Sequence, residues 1–231
     1  MDRGGRERGS RNENVDFSSG RIGPSAVGHP GRRPAMSSVR LVVCGAPPAR
    51  RIGRLVDIGH ARGWEIQVIA TPAGIDFMDV ERIEAATLFP IRSRDRREAE
   101  PRSARADGII VAPATFNTVC KLASGIADTY ALTVLAEAIG DRVPTVVVPF
   151  VAPGMAARMP YRRAVRALHA EQVSVLMPDP SGLGPVPVGP LSSTAQDDAA
   201  EGFPFHRAAD ELTRVMAARR PQSYGLHSDC G

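Results

Sequence analysis

The sequence predicts a doubly wound α/β domain, a parallel sheet of about six strands with helices on both faces. Three observations lead there. Short apolar, β-branched runs alternate with segments of helical periodicity. The turns that follow these runs are rich in Gly, Pro and Thr. The alternation recurs along the chain, as it does when parallel strands are joined by right-handed crossovers.

Val39–Cys44, almost wholly apolar, is the first strand, and Gly45-Ala46-Pro47-Pro48 its turn. Ala49–Ala61 predicts a helix, because Ile52, Leu55, Val56 and Ile58 form one stripe and Gly63 ends it. Trp64–Ala70 is the second strand, followed by the turn Thr71-Pro72-Ala73-Gly74. A short helix is expected over Asp79–Ala86, a short third strand over Leu88–Ile91, and a charged connection over Arg92–Arg105. The fourth strand is Gly108–Ala112. A helical pattern then runs from Asn117 to Gly140, with a break near Gly125. Val143–Pro149 is the fifth strand, Pro160–Glu171 a helix and Val173–Met177 the sixth strand. A Pro/Gly/Ser-rich loop over Pro178–Gly202 leads to a final helix, Phe205–Arg219. Residues 1–38 read as a disordered leader, 39–219 as the domain and 220–231 as a disordered tail. Met36 stands just before the first strand and is the expected true start.

Composition narrows the function classes. The chain has 231 residues, 43% of them hydrophobic, enough for a sizeable core. Aromatic content is 5%, which argues against a stacking platform for single-stranded nucleic acid. The net charge is +4, and up to Arg40 eight arginines face four acidic residues, so the basic excess lies at the N-terminal end and the remainder is near neutral. Cys44, Cys120 and Cys230 are widely spaced, with no zinc-type cluster, which suits a reducing cytoplasm. No apolar run approaches the ~20 residues of a membrane helix. Neither a Walker sequence nor G-x-G-x-x-G nor G-x-S-x-G is present, which removes support for P-loop, nicotinamide-binding and α/β-hydrolase readings.

Ala106–Asp128 carries the most chemistry. After the strand ends at Pro113, Thr115, Asn117 and Thr118 place three small polar side chains at the start of a helix. Open α/β sheets bind ligands at that location. A helix cap would use one of these groups; three exceed what a cap needs, which favours a ligand site. Gly45-Ala46 and Thr71 end the first two strands and point to the same edge. Cys120 has two readings, a thiol activated by the helix N-terminus or a small core filler, and core filling is the expectation. Lys121 is the only lysine in the chain.

Pro113-Ala114-Thr115-Phe116-Asn117-Thr118 resembles the P-A-S-A-N-T motif of the flavoprotein family of homo-oligomeric FMN-dependent cysteine decarboxylases and their relatives. Lys121-Leu122-Ala123-Ser124-Gly125-Ile126-Ala127-Asp128 is similar to the K-[IL]-A-x-G-[IL]-x-D that follows it there. The resemblance covers roughly Val39 to Met177. It implies a Rossmann-like or flavodoxin-like three-layer sandwich and an FMN site at Gly45, Ala46, Thr71, Thr115, Asn117 and Thr118. It further implies a small-molecule substrate and a homo-oligomer (a trimer or a multiple), while composition and charge speak against a nucleic-acid or membrane partner. Phe116, in place of a small residue, either packs on the flavin or fills core.

Three departures stand out against that family. Pro47 and Pro48 remove two N–H donors from the first turn. The position of the family's catalytic histidine falls on Ala99, and no histidine lies between His60 and His169. The substrate clamp P-x-M-N-x-x-M falls on Pro149–Met155; Pro149 and Met155 match, but Val151 replaces the first Met and Ala152 the Asn. The catalytic residues stay unassigned, with Glu98 and Glu100 as acids of the charged connection. The expected function is an FMN-binding flavoprotein acting on a small molecule. The alternatives are a non-catalytic flavin-binding oligomer and a flavin prenyltransferase-like enzyme.

Overall fold

The computed structural model describes residues 36–94, 105–177 and 200–219. The leader up to 35, the segments 95–104 and 178–199 and the tail from 220 lie outside the described residues. So do the expectations for Ala99, Glu98 and Glu100.

Five parallel strands form one sheet. They are β1 (Ser37–Val43), β2 (Trp64–Ala70), β3 (Gly108–Ala114), β4 (Thr145–Pro149) and β5 (Ser174–Val175), in the order β2-β1-β3-β4-β5. β1 pairs with β2 over its full length and with β3 from Val39 to Val42. β3 is buried at every position, as a central parallel strand must be. Pro113 lies inside it where the register with β4 shifts between Val111 and Ala114, the kind of irregularity that accommodates proline in a sheet. The Ala112–Pro113 bond is cis.

Alternating strand residues face opposite layers. Val39, Leu41 and Val43, with Ile110, Ala112, Val146 and Val148, pack under α1 (Gly53–Ala61), α3 (Val80–Thr87) and the C-terminal helix α8 (Phe205–Arg219). Val42, Ile109, Val111 and Val147 face α4 (Phe116–Ala123), α5 (Tyr130–Gly140) and α7 (Met159–Ala170). Two four-residue helices, α2 (Pro72–Ile75) and α6 (Pro153–Ala156), follow β2 and β4. The three-layer sandwich expected from the sequence is therefore present.

Several elements differ in detail. The first helix is preceded by a 3-10 turn, Pro47–Arg51, with Pro47 and Pro48 in its first turn, where their missing N–H groups forfeit no helical bond. The expected third strand at Leu88–Ile91 is absent. Leu88 adopts the left-handed conformation (φ 62°) that closes α3, and the Ile91 N–H donates to the Glu84 carboxylate at 2.8 Å. Only Arg92 reaches the sheet, through one bridge to Ile69 in β2. The helical pattern after Asn117 breaks as expected. Gly125 has φ 70°, and Thr129 caps α5 by accepting from Leu132 N–H.

Two polar links fasten the outer helices. Glu201 receives Arg51 and Arg54, the latter at 2.5 Å. Glu211 on α8 accepts from Ser174 of β5 at 2.5 Å and from Arg214.

Candidate functional site

The strand order reverses direction between β1 and β3, where one connection leads to β2 and the other to β4. In an open parallel sheet such a switch opens a crevice at the carboxyl ends of the two strands. Here Gly45 and Ala46 leave β1 on one side of it, and Thr115 to Thr118 leave β3 on the other. The two ends are joined by a bond from Cys44 N–H to the Pro113 carbonyl at 3.2 Å. Thr71 leaves β2 on the far side of β1, and its N–H donates to the Val43 carbonyl at 2.9 Å. The sheet thus brings Gly45, Ala46, Thr71, Thr115, Asn117 and Thr118 to one edge.

Their roles differ. Thr115 is the N-cap of α4, its hydroxyl accepting from Thr118 N–H. Thr118 is buried and its hydroxyl lies 3.1 Å from that of Thr115 and 3.2 Å from the Cys44 sulfur. These two hydroxyls are engaged with the chain itself. Asn117 is exposed in the first turn of α4, and its amide bonds to no described residue. The cap therefore falls to Thr115, and Asn117 is left with no structural task. Helix geometry also leaves the first-turn N–H groups of Phe116 and Asn117 open beside it.

The β1 turn is poor in donors. Pro47 and Pro48 have none, and the Ala49 N–H is spent on the Ala46 carbonyl at 2.9 Å. Gly45 is glycine for a packing reason that the sequence does not reveal: a Cβ there would lie 2.7 Å from the Ala73 carbonyl oxygen. A Cβ on Gly74 would lie 2.4 Å from the Val43 carbonyl oxygen, so the β1 and β2 turns are pressed together at backbone distance. Thr71 caps α2 by accepting from Gly74 N–H at 3.2 Å.

The second half of the double motif has a structural explanation. Lys121 and Asp128 form an ion pair at 2.6 Å that closes the loop between α4 and α5. Burial pushes the Cys44 thiol up, with hydrogen bonds from Thr118 and Thr115 opposing. Cys120 is half-buried, its thiol also raised by burial and lowered by the Arg158 charge. Pro149 is the buried last residue of β4, whereas Met155 is 41% exposed on α6. The Phe150 N–H donates to the Ala114 carbonyl at 2.8 Å, so the clamp segment starts beside the end of β3.

An aromatic arrangement beside the site was not foreseen. Phe116 stacks on Tyr161 of α7 with centroids 5.9 Å apart and planes 16° from parallel, and the Arg158 guanidinium lies 6.0 Å from the Phe116 centroid. Phe116 thus fills the joint between α4 and α7. Nothing in the local sequence marks this pair, because its members lie on separate helices. No cluster of His, Cys, Asp and Glu suited to a metal ion occurs among the described residues. No described helix is long and apolar enough to cross a membrane.

The strand order defines the class, a flavodoxin-like α/β protein with small polar side chains gathered at the switch between β1 and β3. Comparison with known proteins then places it. The chain belongs to the Flavoprotein family, whose model matches residues 31–197. One relative, the dihydromethanopterin reductase (acceptor) of Methanosarcina mazei, is 45% identical over 58 residues, which is 25% of this chain and 24% of that protein. The match thus spans about a quarter of that relative's length. Among solved structures, the FMN-dependent cysteine decarboxylase TvaF from thioviridamide biosynthesis superposes with a TM-score of 0.59 at 19% identity, covering 79% of this chain and 99% of TvaF. AnUbiX (PadA1), solved with FMN and dimethylallyl pyrophosphate, gives 0.59 at 17% identity over 77% of this chain and 92% of its own. These two similarities show the shared fold.

Proposed function

We propose that this chain binds FMN at the β1/β3 switch and uses it in a redox reaction on a small molecule. The observation that carries the reading is Asn117. It is an exposed amide with no partner among the described residues, next to open N–H groups of α4, at the edge where open sheets of this strand order bind ligands. Membership of the Flavoprotein family supports a flavin as that ligand, and the neighbours described with FMN support FMN.

The donor set fits a flavin in part. The Asn117 amide both donates and accepts, as the edge of a flavin ring requires. The N–H groups of Phe116 and Asn117 add donors beside it, whereas the Thr71 hydroxyl is turned to the Val43 carbonyl. At the β1 turn the Gly45 and Ala46 N–H groups are the donors left for a phosphate, since Pro47 and Pro48 have none and that of Ala49 is spent. When bound, FMN supplies electron or hydride transfer. The protein's part is to hold the ring against α4 and the substrate between that edge and the Pro149–Met155 segment.

Redox chemistry is preferred to decarboxylation for two reasons. Ala152 stands at the clamp position that resembles an Asn, and a methyl group cannot orient a carboxylate. The local match to a reductase points the same way. The missing reactive groups also favour a second reading, a flavin-binding oligomer without turnover.

The first experiment is the visible spectrum of the purified protein. Flavin bands, or their recovery on reconstitution with FMN, are expected. A colourless protein that takes up no FMN overturns the reading. Anaerobic bleaching of those bands by a reductant, reversed by an added organic acceptor, then separates turnover from mere binding.

A further inference from the structure

On the far side of Tyr161 lies a cavity of about 560 Å³, bounded by Pro153 and Ala156 of α6, Val165 of α7 and Met177 after β5. Its size suits a small molecule and its walls are apolar. Two features keep it from being only an apolar hollow.

The first is Tyr161 itself. The residue lines the cavity and is only 3% exposed, yet its hydroxyl bonds to no described residue. No side-chain polar atom among the described residues is both sealed from solvent and unpartnered, so this hydroxyl keeps an opening outward. The ring is clamped by Phe116, which fixes where the hydroxyl points. Burial pushes the phenol up to about 12, so it stays protonated and remains a donor.

The second is charge. Arg162 and Arg166 also line the cavity, one helical turn apart and therefore on one face of α7. Neither forms a side-chain hydrogen bond or an ion pair with a described residue, and α7 contains no Asp or Glu. Two guanidinium groups and a phenol, none with a partner among the described residues, form a donor set without a described acceptor.

We infer that this cavity is a binding site for a small amphiphilic anion, with a carboxylate or phosphate head held by Arg162, Arg166 and the Tyr161 hydroxyl and an apolar body against Pro153, Ala156, Val165 and Met177. The anion supplies the acceptors that the three donors lack, and the walls bury its tail. The site does not depend on a flavin.

The test is calorimetric titration of the full chain with octanoate and with octyl phosphate, beside 1-octanol and inorganic phosphate. At least one of the two amphiphiles is expected to bind about tenfold or more tighter than both octanol and inorganic phosphate, since head and tail must act together. The stronger of the two identifies the head group as carboxylate or phosphate. The double variant Arg162→Gln/Arg166→Gln should weaken that binding about tenfold, and Tyr161→Phe a few-fold, with melting temperature and flavin content unchanged. The changed arginines are exposed, so the double variant is expected to fold. Three results overturn the inference: no binding of either amphiphile, equal binding in the double variant, or a change of oligomeric state in that variant, which would make this face a contact between copies.

Discussion

Asn117 and Thr115 lie two residues apart and do different work, and substitution separates them. Asn117→Asp replaces a donor-acceptor amide by an anion next to an anionic cofactor. Flavin affinity should fall about tenfold, a cost of ~1–2 kcal/mol, while the melting temperature of the flavin-free protein is unchanged. Thr115→Ala instead removes the α4 cap and should lower stability by ~1 kcal/mol in thermal unfolding. Unaltered flavin affinity in Asn117→Asp would move the cofactor away from α4. The two described cysteines differ in the same clear way. Cys44 is 1% exposed and Cys120 is half-buried, so brief alkylation of the native protein should modify Cys120 and spare Cys44 until unfolding. Peptide mass spectrometry reads the outcome.

At the scale of elements, the β1 and β2 turns are pressed together at Gly45 and Gly74. Gly45→Ala would drive a methyl group into the Ala73 backbone, which cannot swing aside as a side chain can. A loss of ~1–3 kcal/mol is expected in chemical denaturation. Glu211 ties α8 to β5, and its carboxyl is held below the usual range chiefly by the Arg214 hydrogen bond, with Ser174 adding to it. A depressed folded-state pKa gives stability that is present above the unfolded value and is lost as pH falls through the lower folded one. Glu211→Gln should therefore flatten the acid side of the stability profile, by less than about 1 kcal/mol because the group is partly solvated. A profile as steep as that of the parent protein would remove Glu211 from that role.

These same elements mark what the sequence made legible. β1 to β4 were readable because β-branched runs between turn residues have few other uses. The same cue misled at Leu88–Ile91. Its apolar side chains imitate a strand, but Pro90 lacks a donor, Leu88 closes α3, and the Ile91 N–H is taken by Glu84. At the site, the polar cluster after β3 was readable. Its division into a cap, a buried hydroxyl network and one free amide was not, because that depends on which neighbours each side chain meets. Tyr161 gave no signal, since its partner Phe116 is brought to it only by the packing of α4 on α7.

For the whole molecule, the shortage of donors at the β1 turn bears on assembly. Prolines and an internally spent N–H leave one side of the proposed FMN site incomplete, and a second copy of the chain is the expected source of the missing donors. Light scattering should find an oligomer that retains flavin; a flavin-loaded monomer would contradict this. The same whole-site reasoning gives a negative prediction for chemistry. Without an orienting group at Ala152, neither phosphopantothenoylcysteine nor a peptide ending in cysteine should lose CO₂ at an appreciable rate. Positioning and proton transfer each contribute large factors, the latter about 10²–10⁴-fold. Mass spectrometry after anaerobic incubation checks this.

The place of α8 in the core has a consequence for how the molecule is made. Phe205, Ala208, Ala209 and Leu212 cover the face of the sheet that carries Ile110, Val146 and Val148, and Leu212 and Met216 press on Gly108. The cover thus follows in the chain well after both strands it covers, Ile110 and Val146–Val148 preceding Phe205 in the sequence. At roughly 5–20 residues per second, a ribosome delivers it roughly 3–20 seconds late. Through that interval the nascent sheet carries an uncovered apolar face, which makes this half of the domain a natural client for chaperones during synthesis. Translation arrested before Phe205 should yield a chain held by them, and release should follow once α8 has emerged.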